Sequence, residues 1–236
     1  MEHEMKGNRY VLMGLLAAAG VSTGVSQAAN WERCYFGGGA SYVETSNQWT
    51  TTFIQGDALN DNAGSADGDD TALAIQFGCD VMLSDQWAFG LKLTGNNNTI
   101  EASHIYQTGT SPNNVISYKM DDMYAAIGRI GFTMGNQGLL YGQLGYMQTS
   151  NYYSDFDAGQ FTFDFSRKTH RKGVLIGIGY EHQLNELFSL YAEYNRVDLG
   201  DKSILLNDNT TFAIDDYTAK IDQDITLFNV GVNYRF

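Results

Sequence analysis

The 236-residue chain predicts an all-β fold, an eight-stranded antiparallel up-and-down transmembrane β-barrel, on three observations. From Cys34 onward, apolar and aromatic residues recur at every second position, the period of a strand. The segments that alternate in this way are joined in turn by tight turns and by long polar connections, which places short turns at one end of a barrel and long loops at the other. The chain holds 26 Gly, 15 Tyr and 13 Phe but a single Pro, and its charged fraction is 17%, below the value of about 25% usual for soluble chains. A formal net charge of −13 with only 14 basic residues leaves no cationic footprint for a phosphate backbone, so nucleic-acid binding is excluded. An apolar content of 43% excludes a disordered chain. A helical membrane span needs about 20 consecutive apolar residues, and no segment supplies them.

The N-terminal region reads differently from the rest. Met5-Lys6-Gly7-Asn8-Arg9 supplies a basic stretch, Tyr10 to Ala19 an apolar run, and Ser26-Gln27-Ala28 the small residues of a cleavage site. Residues 1–28 are therefore expected to be a cleaved secretory signal peptide, and 29–236 a barrel domain that matures in an oxidising compartment.

The eight segments follow in order. Phe36, Gly38, Ala40 and Tyr42 mark the first, and Leu73, Ile75, Phe77, Cys79 and Val81 the second. Trp87, Phe89, Leu91 and Leu93 mark the third, and Tyr124, Ala126, Gly128, Ile130 and Phe132 the fourth. The fifth carries Leu140, Gly142, Leu144 and Tyr146, and the sixth Val174, Ile176, Ile178 and Tyr180. The seventh carries Phe188, Leu190, Ala192 and Tyr194, and the eighth Phe228, Val230, Val232, Tyr234 and Phe236. Ser84-Asp85-Gln86, Gly135 to Gly138 and Asn185-Glu186-Leu187 are tight turns. Ser46 to Asp70, Gly95 to Ser117, Thr149 to Arg171 and Arg196 to Asp222 are expected to be long polar connections, made of loops and of strand extensions above the membrane. A strand needs about 10 residues to cross the bilayer, so the chain suits eight strands and is too short for sixteen.

The face defined by those residues is apolar and nearly uncharged, as lipid requires. The opposite face holds Gly, Tyr, Gln and Asn with Lys92, Arg129, Glu193, Asp80, Glu181 and Arg235. Alternation does not say which face is the lumen; the export signal and the last residue assign the charged face to it. The count from the turns places Lys92, Arg129 and Glu193 near mid-depth and Asp80, Glu181 and Arg235 nearer the short-turn end. Three cations and three anions with Tyr35, Tyr141 and Tyr191 are expected to fill a narrow lumen. A small or gated pore, in which the pairs exchange partners, is the alternative. Cys34 and Cys79 share the outward parity of adjacent strands, so they are either a disulfide or two lipid-facing thiols.

The first long connection gathers Asp57, Asp61, Asp67, Asp69 and Asp70, and the fourth Asp201, Asp208, Asp215, Asp216 and Asp222, without the spacing of a calcium loop. They are read as solvated acids, with no metal and no cofactor expected. Arg167, Lys168, Arg171 and Lys172 form the one basic cluster, placed to contact lipopolysaccharide phosphates. His104, His170 and His182 lie near serines or glutamate without a recognisable catalytic spacing, and no enzymatic activity is expected.

The chain ends on Phe236, preceded at alternate positions by Tyr234 and Val232. With Tyr141-Gly142-Gln143-Leu144-Gly145-Tyr146, Gly177-Ile178-Gly179-Tyr180-Glu181 and Ala192-Glu193-Tyr194, this resembles the eight-stranded outer-membrane barrels of the opacity-protein and OmpA transmembrane-domain group. The resemblance covers the mature chain. It implies a bacterial outer-membrane location with periplasmic termini and extracellular loops, and recognition of Phe236, Tyr234 and Val232 by the barrel assembly machinery. Lipid and lipopolysaccharide are implied as surroundings. A structural or interaction role toward an extracellular ligand or host surface, in adhesion or envelope integrity, is implied as function. A small pore and, more distantly, a barrel-embedded lipid-modifying enzyme are the other roles within the group's range.

Overall fold

The computed structural model describes residues 31–54, 56–107, 113–157, 163–209 and 217–236. The expected signal peptide, residues 1–28, lies outside them. The described chain forms β1 (Cys34–Ile54), β2 (Asp57–Met82), β3 (Trp87–Ile105), β4 (Asn114–Met134), β5 (Gly138–Asp157), β6 (Phe163–Gln183), β7 (Phe188–Asp208) and β8 (Tyr217–Arg235). Each strand pairs with its sequence neighbours, and β8 pairs with β1 to close an eight-stranded antiparallel barrel. The three short turns fall where the sequence places them. Asn185 stabilises one of them by accepting hydrogen bonds from the amides of Leu187 and Phe188, both at 2.9 Å.

The long connections are the main refinement. Ser46 to Asp70, Gly95 to Ser117, Thr149 to Arg171 and Arg196 to Asp222 are mostly strand, and strands run from 19 to 26 residues, about twice what the bilayer needs. The ladder continues because it satisfies backbone groups whatever the side chains are. The barrel therefore has two halves. In the half next to the short turns, outward positions are Leu, Ile, Val, Phe and Tyr; in the other, which we call the extension, they become Glu44, Asp67, Asp69, Ser150, Lys172 and Asp201.

In the extension the inner face becomes apolar. Val43, Trp49, Ile100, Ile116, Met120, Tyr153, Phe165, Ile204, Tyr217 and Ile221 are all buried in one cluster. The wall around this core opens on two opposite sides. The β2–β3 ladder ends at Leu73 and Asn97, and β6 and β7 are unpaired between Ser166 and Val174. Apart from a short rejoining of β6 and β7 at Phe165–Asp208 and Ser166–Asn207, the extension is thus two four-stranded sheets, β7-β8-β1-β2 and β3-β4-β5-β6, facing each other across an apolar core in the manner of a β-sandwich.

Irregularities in the backbone accompany this change. Asp122 has φ 43° and Gly200 φ 64°, and the register shifts beside each of them. On β4, Met123 and Met120 are both buried on either side of the irregularity at Asp122, so the bulge reverses the parity of the strand. Gly200 reverses β7 likewise, with Leu199 and Ile204 both inward.

Candidate functional site

The six charges predicted for the lumen lie inside the membrane half, and the strand register explains how they meet. Gly90 stands between Asp80 on β2 and Arg129 on β4 as the cross-strand partner of both. A Cβ at Gly90 would overlap the Asp80 carboxylate and come within 3.1 Å of Arg129 Cγ, so glycine lets the two side chains meet over the middle strand. Arg129 Nε donates to Asp80 Oδ1 at 2.8 Å and Nη1 to Glu181 Oε2 at 3.1 Å. Arg235 completes a four-membered ring, donating from Nη1 to Asp80 Oδ2 at 3.1 Å and from Nη2 to Glu181 Oε1 at 2.7 Å. Arg129 therefore belongs with Asp80, Glu181 and Arg235, and not to mid-depth, because it is in register with Gly90 and Asp80 and its side chain crosses over Gly90.

Aromatic rings cover the guanidinium groups. Tyr35 and Tyr141 each lie 4.7 Å from Arg129, and Trp31 lies 4.6 Å from Arg235, within the range of cation–π attraction. Tyr141 and Tyr191 lean over Gly179 and Gly231 across the ladder, filling the space those glycines leave. Lys92 pairs with Glu193 deeper in the barrel, and Glu193 also accepts from Tyr141 Oη at 2.7 Å. Asn233 donates to Glu181 at 2.8 Å and Gln76 to Asn233 at 2.7 Å. All six charged residues are buried. Pairing of this quality is what keeps buried charges tolerable.

Cys34 and Cys79 face each other directly in the β1–β2 register and are joined as a disulfide. Val232, Tyr234 and Phe236 point outward at the short-turn end, with Tyr234 stacked on Phe236 at 6.2 Å and tilted against Phe188 at 5.5 Å. Trp87 and Phe132 pack edge to face at 5.4 Å in the same aromatic girdle. Tyr124, Tyr146 and Tyr194 are exposed at the opposite border of the apolar band.

The basic cluster divides. Lys168 and Lys172 are exposed on the outer face of β6, and Arg167 donates to Asn207 at 3.2 Å across the exposed tip. Arg171 does not belong with them: it points inward and is 1% exposed. Its guanidinium donates to the carbonyls of Gly200, Leu199 and Ile221 at 2.7, 3.3 and 3.3 Å and to Tyr153 Oη at 3.2 Å. It occupies the gap where β6 and β7 are unpaired and satisfies the carbonyls of Leu199 and Gly200, which the β7–β8 ladder skips. β6 keeps its parity here, with Phe165, Arg171 and Leu175 all buried, so strict alternation sends Arg171 inward, and grouping it with its basic neighbours hides that role.

Asp155 is a second residue missed by the sequence reading. It is buried on the inner face of β5 in the extension. Burial among apolar side chains pushes its carboxyl up to about 7; the Tyr217 hydroxyl hydrogen bond counters this and Asp157 reinforces it. The histidines do not form a catalytic constellation among the described residues. His104 Nε2 contacts the Ala63 carbonyl at 3.2 Å and His170 Nδ1 contacts Ser150 Oγ at 3.1 Å. No cluster of three potential metal ligands occurs among the described residues.

An apolar band between two aromatic girdles, around a lumen that holds buried charge pairs, defines a transmembrane β-barrel of the outer-membrane class. The chain matches the outer membrane protein β-barrel domain family over residues 13–236, and it belongs to that family. Its place is the bacterial outer membrane. Among solved structures, the outer membrane protein OprG of Pseudomonas aeruginosa is similar with a TM-score of 0.53 and 18% identity, over 88% of this chain and 98% of that one. The outer membrane protease OmpT of Escherichia coli is similar with a TM-score of 0.53 and 10% identity, over 89% of this chain and 99% of that one. At these identities the likeness concerns the fold. Among curated protein sequences there is no significant match.

Proposed function

We propose that this barrel is a surface-exposed structural or interaction protein that acts through the outer surface of its extension, with the short turns in the periplasm and the extension outside the cell. The observation that carries this reading is the double closure of the lumen. A charge ring occupies the lumen of the membrane half and an apolar core that of the extension among the described residues, which supports a closed interior and makes the outer wall the working surface.

That wall is polarised. The sheet β7-β8-β1-β2 exposes Glu44, Asp57, Asp61, Asp67, Asp69, Asp198, Asp201 and Asp222, and suits a cationic partner surface in adhesion or envelope contact. The β6 face carries Lys168 and Lys172 and suits lipopolysaccharide phosphate. Phe236, Tyr234 and Val232 are presented outward for the assembly machinery.

Planar-bilayer recording of the refolded full chain tests the reading. The expected result is no steady conductance at any holding potential; stable single-channel openings would favour the small-pore alternative and overturn it.

A further inference from the structure

The lipid-facing wall of β3 to β7 is not smooth. Gly128 and Gly142, both of outward parity, leave a groove of about 880 Å³ walled by Phe89, Ile130, Leu144, Ile176 and Ile178, with Tyr194 and Arg196 also on its lining. Arg196 is the first polar outward residue on β7 beyond the Tyr194 girdle, and Lys172 is the first on β6 beyond Val174. Lys172 lies four residues along β6 from Ile176, the partner of Arg196, which separates the two cations by roughly 13 Å at the rise of a strand. His170 and Lys168 continue the column beyond Lys172. The outward residues beside them on β5 are Gln148, Ser150 and Tyr152, none of them acidic. Arg196 holds Asp224 at 3.1 Å on the surface, an exposed pair that a phosphate can share. Asp198, the next outward residue on β7, is occupied by the Gly200 amide at 2.7 Å.

We infer that this groove is a seat for one lipopolysaccharide molecule of the outer leaflet, with an acyl chain of its lipid A over Gly128 and Gly142 and its phosphates on Arg196 and Lys172. The site rests on the extracellular orientation proposed above and deepens the basic-cluster contact by supplying the tail's place. An apolar trough beneath a cationic rim matches an amphiphile with an anionic headgroup. A second copy of the chain is a poorer occupant, because two such faces would set one cationic column against another.

The groove can be filled without disturbing the barrel, since a Cβ at Gly142 meets nothing within 4 Å. The refolded full chain in detergent would be titrated with bis-phosphorylated lipid A, its dephosphorylated form and phosphatidylcholine, and bound lipid counted by native mass spectrometry. The wild type is expected to keep one lipid A and to prefer it over the dephosphorylated form by about tenfold or more. R196A/K172A is expected to lose that preference, and G142L to lose retention of both forms. Equal retention by G142L and the wild type would overturn the groove, as would loss on R167A/K168A alone, which would leave a headgroup contact only. A lipid-free dimer that G142L abolishes would overturn the lipid as occupant. Channel openings would refute the closed-lumen reading and leave these lipid measurements unaffected.

Discussion

The two halves of this barrel are built from the same eight strands, yet their chemistry is reversed. In the membrane half, the outer face is apolar and the inner face holds two arginines, a lysine and three carboxylates in mutual pairs. In the extension, the outer face is acidic and polar, and the inner face is an apolar core of Trp49, Ile116, Met120, Phe165 and Ile221. The solvent outside decides which side chains can face it: lipid takes hydrocarbon, water takes charge, and the interior receives what the exterior excludes. The closed ladder serves in lipid, where no open sheet edge is tolerated. In water the wall can open into two facing sheets, with Arg171 capping free carbonyls in the gap.

The largest expected effect lies in the charge ring. Glu181→Ala leaves Arg129 and Arg235 with Asp80 as their only shared anion and should cost about 3–5 kcal/mol. Urea-unfolding midpoints of the refolded barrel would measure it. A loss below that of a surface substitution would mean the ring is solvated and the contrast between the halves overstated.

The next effect should be confined to the extension. The Asp155 carboxyl, at about 7 in the folded chain against an ordinary 3.8, holds a proton that the unfolded chain has released in the window between those values. Its contribution is therefore complete below about pH 4 and is lost as pH rises through about 7, a change of about 4 kcal/mol at most. Amide exchange should show the extension opening more readily at pH 8 than at pH 5, with the membrane half unchanged. Asp155→Asn should flatten this dependence; an unaltered profile would assign it to another group.

Outward substitutions sharpen the comparison. Leu91→Arg, on the lipid face, should cost about 2–4 kcal/mol, whereas Ser203→Arg, exposed on β7 of the extension, should fall within about 0.5 kcal/mol of wild type. Equal costs would mean that the apolar band is misplaced. The smallest change is expected for Lys119→Ala, which removes an exposed pair with Glu101 at 3.3 Å and should leave the urea-unfolding midpoint unchanged, because solvent screens such pairs.

The membrane half was legible in the sequence down to individual residues. Its contrast is high at every second position, from Phe228 to Phe236 and from Phe89 to Leu93, because lipid admits no polar alternative. Parity alone placed Lys92, Arg129, Glu193, Asp80, Glu181 and Arg235 on one face. The extension was much less legible. Thr45, Asn47, Thr149 and Asn151 are inward and buried there, so inner and outer positions share polar residue types. The reversals at Asp122 and Gly200 then break the count, so Ile116 and Tyr118 fall on the wrong parity when numbered from the membrane. Arg171 was grouped with its neighbours because adjacent basic residues read as one cluster, although β-strand geometry sends Lys172 and Arg171 to opposite faces.

By itself, the sequence determined the number of strands, the order of short turns, the lipid-facing residues and the charge balance of the lumen. Those follow from local alternation and from the solvent that each face must meet. Only the tertiary structure decided how far the strands extend into the long connections and that they enclose a second core. It alone showed that Gly90 lets Asp80 meet Arg129, and that Gly128 and Gly142 open a groove in the wall. Each of these depends on which residues lie across the ladder, and register joins positions far apart in the chain that no local pattern encodes.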